Sequence, residues 1–246
     1  MRRANVLIVI LLASLALVLV ACGKDKSTGG AAATTTATAT ATATTAKPAA
    51  PQKTTSGGCR AVPAPPPAAN ANRRRPRQRL DRKRTYTATI KTNCGTILVR
   101  LDVKRAPKTT ASFAGLARTK FFDGLSFHRI AKPGGNDFVI QGGDPLGSGN
   151  GGPGYSVVEA PPKGTTYHRY DVAMAKTQTD PPGGSGSQFF IVTAADAGLP
   201  PDYAILGTVV GGKRVVQRIS AVPTDPATEA PLDPVVMSSV RITSRR

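Results

Sequence analysis

From Ser126 onward the large apolar residues come in short runs closed by glycine and proline. Ser126–Ile130, Phe138–Gly142, Asp171–Ala175, Gln188–Thr193 and Ile205–Val210 are each five or six residues long. Between them lie Gly147, Gly149, Gly151, Gly152 and Gly154, and later Pro181, Pro182, Gly183 and Gly184. Helices of ordinary length do not fit that spacing, whereas short strands do. Two segments differ. Pro107 opens a stretch with Phe113, Leu116 and Ala117 at i, i+3 and i+4, and Lys213–Ser220 carries Val215, Val216 and Ile219 at helical spacing. Upstream, Thr85–Thr92 alternates around Tyr86, Ala88 and Ile90, and Thr96–Asp102 around Ile97, Val99 and Leu101. Asn93-Cys94-Gly95 joins them, which predicts a hairpin. Val235–Ile242 predicts a closing strand. Many short strands and two helices predict a mainly β domain, a barrel capped by helices. The pattern leaves the strand order open.

The rest of the 246-residue chain cannot build such a core. Residues 31–56 are mostly Ala and Thr, and residues 63–84 are Pro, Ala, Asn and Arg. Neither supplies the apolar surface that offsets the entropy of ordering a backbone. The reading is therefore a disordered tether over 22–84 and one folded domain over 85–246, about 160 residues. At the N-terminus, Arg2 and Arg3 precede an apolar run from Val6 to Ala21 that ends at Cys22. That order is the order of a secretory signal over 1–21; an uncleaved membrane anchor is the alternative. Leu19-Val20-Ala21-Cys22-Gly23 resembles the lipobox of bacterial lipoproteins. The resemblance implies lipidation at Cys22 and an extracytoplasmic protein anchored to the cell membrane.

Charge and cysteines refine this. Residues 1–84 hold fifteen basic and two acidic side chains, residues 85–246 eighteen and twelve, so +13 and +6 of the total +19. The excess gathers in Arg73, Arg74, Arg75, Arg77, Arg79, Arg82, Lys83 and Arg84. A run without interleaved aromatics, on an exported chain, points away from nucleic acid. It suits anionic lipid or a cell-wall polymer, or simply a solvated tether. With Cys22 lipidated, Cys59 and Cys94 remain as a pair in a compartment that permits disulfides; two free thiols are the alternative.

Three stretches carry the chemistry: Phe127-His128-Arg129, Phe138-Val139-Ile140-Gln141-Gly142-Gly143-Asp144 and Gly186-Ser187-Gln188-Phe189-Phe190-Ile191. They offer one cation, two amides and several rings, with no evident nucleophile and no carboxylate pair. Such a site can bind and polarise a substrate. It is poorly equipped to break a covalent bond. His128 and His168 are the only histidines and lie far apart in sequence. His128 is read as a structural histidine with satisfied partners, and the reading calls for no metal and no cofactor. The three stretches, in this order, resemble the signature of the cyclophilins, which are peptidyl-prolyl cis-trans isomerases.

That resemblance implies a closed eight-stranded antiparallel β-barrel with a helix at each end. It implies that Arg129 is catalytic. Phe138, Val139, Phe190 and Leu199 match the positions that line the proline pocket. Gln141 and Gln188 match positions that contact the substrate backbone, Ala175 and Lys176 match the segment that pairs with its main chain, and Tyr203 aligns where His is frequent. Phe189 alternates with Phe190 and so belongs to the core. The chain departs from the family in three places. Gly198 lies where many members carry a Trp that holds cyclosporin, Tyr203 replaces the His, and about four extra residues lie within Lys132–Asp137. The implied partners are proline-containing unfolded or exported polypeptides. Two other readings stand beside the enzyme: a proline-binding or chaperone module without turnover, and an adhesive surface protein driven by the basic tether.

Overall fold

The computed structural model describes residues 53–55, 57–69 and 72–246. Residues 1–21, read as a secretory signal, and Cys22 lie outside the described residues. Among those described, no helix is long and apolar enough to cross a membrane.

The hairpin forms where the alternation placed it, as β1 (Thr85–Thr92) and β2 (Gly95–Leu101). Tyr86, Ala88, Ile90, Ile97, Val99 and Leu101 all face inward and are buried. The turn is held by its own side chains. Thr92 Oγ1 accepts from the Cys94 amide at 3.0 Å, and Asn93 Oδ1 accepts from the Val236 amide at 2.9 Å. The first helix, α1 (Pro107–Arg118), buries Phe113, Leu116 and Ala117 as its spacing requires. Ala106 cannot cap it. Glu159 does so from another loop, accepting from the Lys108 and Thr109 amides at 3.0 and 2.7 Å. A carboxylate there satisfies orphan donors and the positive helix end together.

Six further strands complete the main sheet: β3 (Arg129–Ala131), β4 (Val139–Gly142), β6 (Asp171–Met174), β8 (Phe189–Val192), β9 (Ile205–Gly211) and β10 (Met237–Arg245). The small pair β5 (Val157–Val158) and β7 (Gly184–Ser185) lies apart, and α2 (Lys213–Ser220) follows β9. The order is β10-β1-β2-β9-β6-β8-β4-β3, with every pairing antiparallel. This is the expected mainly β fold with two helices; closure of the sheet into a barrel is not shown. The eight strands make a curled sheet with β3 and β10 as its edges. Between the edges run an isolated bridge, Ser126↔Val236, and single bonds such as Phe127 N–H to Val235 O at 2.8 Å.

The strand that carries Arg129 differs from its expected bounds. The expected strand Ser126–Ile130 would put Phe127 and Arg129 on one face. The strand begins only at Arg129, and Phe127 and Ile130 both lie in the core at 0 % exposure. The alternation therefore breaks at His128, which lets Arg129 face outward. Phe127 joins Phe113, Phe122 and Phe189 in a cluster of rings with centroids 4.7–6.1 Å apart. Such edge and tilted contacts add to the burial of the rings.

The stretch read as tether also differs near the domain. Cys59 and Cys94 are joined by a disulfide. The Arg60 amide donates to Asn93 O at 3.0 Å, Ala68 to Pro145 O at 2.8 Å and Arg73 to Pro153 O at 2.8 Å. Leu80 is buried within the core. Pro76 covers Gly115 of α1 so closely that any Cβ there would collide with its ring. Composition missed this because the contacts are mostly backbone bonds, one apolar side chain and one covalent bond.

Candidate active site

Strand register gathers the site. Arg129 of β3 pairs with Gln141 of β4, Gln141 with Phe190 of β8, and Phe190 with Ala173 of β6. Residues directly opposite across a ladder share a face. The next row, two residues along, is Ala131, Val139 and Val192. The intervening row, Ile130, Ile140, Ile191 and Val172, turns inward and is buried.

The apolar half of this outer face is a second hydrophobic cluster. Val139, Phe190, Tyr167, Ala173, Val192 and Ala131 form it, with Phe138, Ala175, Leu199 and Tyr203 packed on top, partly exposed. Phe190 and Tyr203 meet edge to face at 5.4 Å. Tyr167, which the sequence reading did not single out, fixes this wall. Its hydroxyl donates to Tyr203 O at 2.6 Å and accepts from the Tyr203 amide at 3.1 Å. Burial pushes its phenol up to about 12, so it remains a neutral donor.

The polar half is a directed chain of hydrogen bonds. Arg129 Nη1 donates to Gln141 Oε1 at 3.2 Å, and Gln141 Nε2 to Gln188 Oε1 at 2.9 Å. Gln188 Nε2 donates to Gly149 O and Gly151 O at 2.8 and 2.9 Å. Glu229 closes the other end, accepting from Arg129 Nε at 2.6 Å. Two sides of the guanidinium are thus fixed, and among the described residues no bond occupies Nη2. Arg129 keeps 36 % of its side chain exposed. Glu229 was missed because it lies 100 residues from Arg129 in a short acidic loop. The loop is folded around Asp225, whose carboxylate accepts from the Ala227 and Thr228 amides and sits below the usual carboxylate range as a result.

Ala175 and Lys176 border a recess of about 520 Å³ beside Gln141 and Gln188. The Ala175 amide already donates to Gln188 O at 2.9 Å. Lys176 pairs with Asp202 at 2.8 Å and lies near the Tyr203 ring, and the Asp202 carboxylate holds its ammonium above the usual lysine range. His128 corrects the expectation of satisfied partners. Both ring nitrogens are buried without a hydrogen bond, and burial pushes its pKa down. The extra residues form an exposed turn at Pro133–Gly135, away from the core. Gly198 has a φ of +61° and open space where a side chain would start.

The profile described as cyclophilin type peptidyl-prolyl cis-trans isomerase/CLD matches residues 87–242. The chain belongs to the cyclophilin family. Peptidyl-prolyl cis-trans isomerase B of Streptomyces anulatus is 41 % identical over 177 residues, covering 64 % of this chain and 97 % of the relative. Peptidyl-prolyl cis-trans isomerase A of Mycobacterium tuberculosis is 41 % identical over 176 residues, covering 64 % and 92 %. A solved cyclophilin-type isomerase of Cryptosporidium parvum superposes with a TM-score of 0.58 at 29 % identity, covering 66 % of this chain and 99 % of that one. The same protein in the presence of the dipeptide Ala-Pro gives 0.57. The family profile, the relatives and the cyclophilin fold agree on one activity, peptidyl-prolyl cis-trans isomerisation.

Proposed function

We propose that Arg129 drives the isomerisation by donating to the prolyl nitrogen. Rotation about an X–Pro bond meets a barrier of about 18–20 kcal/mol from amide resonance. As the bond twists, the nitrogen lone pair localises and becomes an acceptor. A donor aimed there is worth more in the twisted state than in the planar one, which is the condition for catalysis. The observation that carries this reading is the guanidinium held by Glu229 and Gln141 with Nη2 unoccupied, on the face it shares with Phe190 and Val139. Phe138, Val139, Phe190 and Leu199 take the proline ring. Gln141, Gln188, Ala175, Lys176 and Tyr203 meet the flanking peptide. Arg129→Ala should lower kcat/KM by on the order of a hundredfold, about 2.7 kcal/mol, in a protease-coupled assay on an Ala-Pro-Phe peptide. Near-normal turnover by the folded variant would defeat the assignment.

The setting is part of the same proposal. The protein acts outside the cytoplasm, anchored through lipidated Cys22, on exported polypeptides whose X–Pro bonds otherwise take tens of seconds or more to isomerise. The signal-like order of residues 1–21 and the lipobox around Cys22 support this. The exposed Arg73, Arg74, Arg75, Arg77 and Arg79 form no ion pair among the described residues, which suits contact with anionic lipid or cell-wall polymer. Cys22→Ser should abolish lipid labelling and move the protein out of the membrane fraction. Unchanged labelling and fractionation would refute the anchor.

A further inference from the structure

We propose that residues 57–69 and 72–84 form a positioning arm of the active site: they brace the Gly-rich loop 145–153, whose carbonyls orient Gln188, Gln141 and, through them, Arg129. The inference rests on the role given to Arg129 above.

A glutamine side chain presents a donor and an acceptor that exchange places on a flip. Gln141 offers its oxygen to Arg129 only if its nitrogen points at Gln188. Gln188 accepts there only if its own nitrogen points the other way. That last choice is made by Gly149 O and Gly151 O, two acceptors for one NH2 group. The polarity of the whole chain is therefore set at the loop. With those carbonyls displaced, Gln188 can flip, Gln141 follows, and Arg129 meets a donor instead of an acceptor.

The loop is rich in glycine and is held at defined points. Gly147, Gly149 and Gly154 have positive φ, and a Cβ at Gly151 would strike the Asp144 carboxylate. Buried Asp144 secures the first half, accepting from the Leu146 and Gly149 amides at 2.8 and 2.5 Å. The arm clamps the loop at its two prolines, through Ala68 N–H to Pro145 O and Arg73 N–H to Pro153 O. The arm itself is fixed on either side of those bonds. Upstream the Cys59–Cys94 disulfide ties it to the β1–β2 turn, and downstream Pro76 seats on Gly115 and Leu80 enters the core. A free tether would need none of these contacts.

The test removes the two clamps without touching the site. In the full chain, Ala68→Pro/Arg73→Pro deletes both N–H donors, since proline has none. We expect kcat to fall three- to tenfold with KM within twofold and the thermal midpoint little changed. Ala64→Pro, at an amide with no partner among the described residues, should match wild type. The decisive arm is the same pair in a Gln188→Ala background, where the chain of amides is already cut and the substitutions should change kcat by less than twofold. Wild-type kcat in the folded double variant, or an equal loss in the Gln188→Ala background, overturns the inference. If the double variant does not fold, Pro76→Gly loosens the arm more gently. It should lower kcat two- to threefold in the wild-type background and not in Gln188→Ala, and any other result counts against the arm. Arg129→Ala run alongside separates the two claims, because its near-normal turnover would defeat the role of Arg129 itself.

Discussion

The inner and outer faces of β3, β4 and β8 are made from the same three runs of sequence, yet they are held in different ways. On the inner face Ile130, Ile140, Ile191 and Phe189 need only be apolar and of the right size, and burial fixes them. On the outer face Arg129, Gln141 and Gln188 are fixed by hydrogen bonds to Glu229 and to glycine carbonyls that no strand supplies. Apolar packing is non-directional, whereas a guanidinium or an amide works only when aimed. The site face thus depends on loops and on residues far away in sequence.

Substitutions on the two faces should separate stability from turnover. Phe190→Ala removes the ring that packs edge to face on Tyr203 in the outer cluster. If the ring anchors proline as large aromatics anchor interfaces, kcat/KM falls by about thirtyfold or more, from about 2 kcal/mol. Ile191→Ala, one residue along and facing inward, should cost about 2–5 kcal/mol of unfolding free energy while the folded fraction turns over normally. Peptide kinetics and urea unfolding on both proteins check the pair. Loss of turnover in Ile191→Ala beyond its folded fraction would break the comparison.

Glu229 sharpens it. Glu229→Ala leaves Arg129 Nε without its charged acceptor at a half-exposed site. A hydrogen bond to a charged group is worth about 1.5 kcal/mol at the low end, so kcat should fall about tenfold with KM little changed. A rise in kcat would mean that Glu229 restrains Arg129 instead of aiming it.

His128 lies between the faces and gives a pH signature. Its folded pKa is lowered by burial, so the unfolded chain binds a proton that the folded chain refuses. The stability linked to neutral His128 is complete above the unfolded value, about 6.5, and is lost as pH falls toward the folded one. Urea midpoints at pH 7.5 and pH 5 should converge in His128→Phe relative to wild type. An identical pH dependence in both proteins would remove His128 from the account.

Gly198→Trp should have the smallest effect on catalysis. There is space for a side chain, but the positive φ carries a strain of about 1–2 kcal/mol in a non-glycine residue. Peptide kcat/KM should stay within about twofold while cyclosporin sensitivity rises. A folded variant without that gain would dismiss position 198 as a determinant of cyclosporin binding.

The same contrast explains what was legible in the sequence. The hairpin, both helices and the inward rows follow from alternation and spacing, because burial alone decides them. Phe190 in the outer apolar cluster and Phe189 in the core are separable for the same reason. Three things were hidden. The break at His128 depends on how the chain crosses between the sheet edges. Glu229 and the Gly149 and Gly151 carbonyls act on Arg129 and Gln188 across long stretches of chain. Residues 57–84 lack apolar mass and so read as tether, although backbone bonds, Leu80 and a disulfide lay residues 57–69 and 72–84 on the domain.

The central claim is that Arg129 works as an aimed planar donor and not merely as a positive charge. Arg129→Lys tests it most directly in the peptide assay, because an ammonium keeps the charge and loses the fork that Glu229 and Gln141 hold. The account predicts a loss of kcat/KM of about thirtyfold or more, approaching that of Arg129→Ala, with the fold unchanged by circular dichroism. A lysine variant retaining a third or more of wild-type turnover would contradict it.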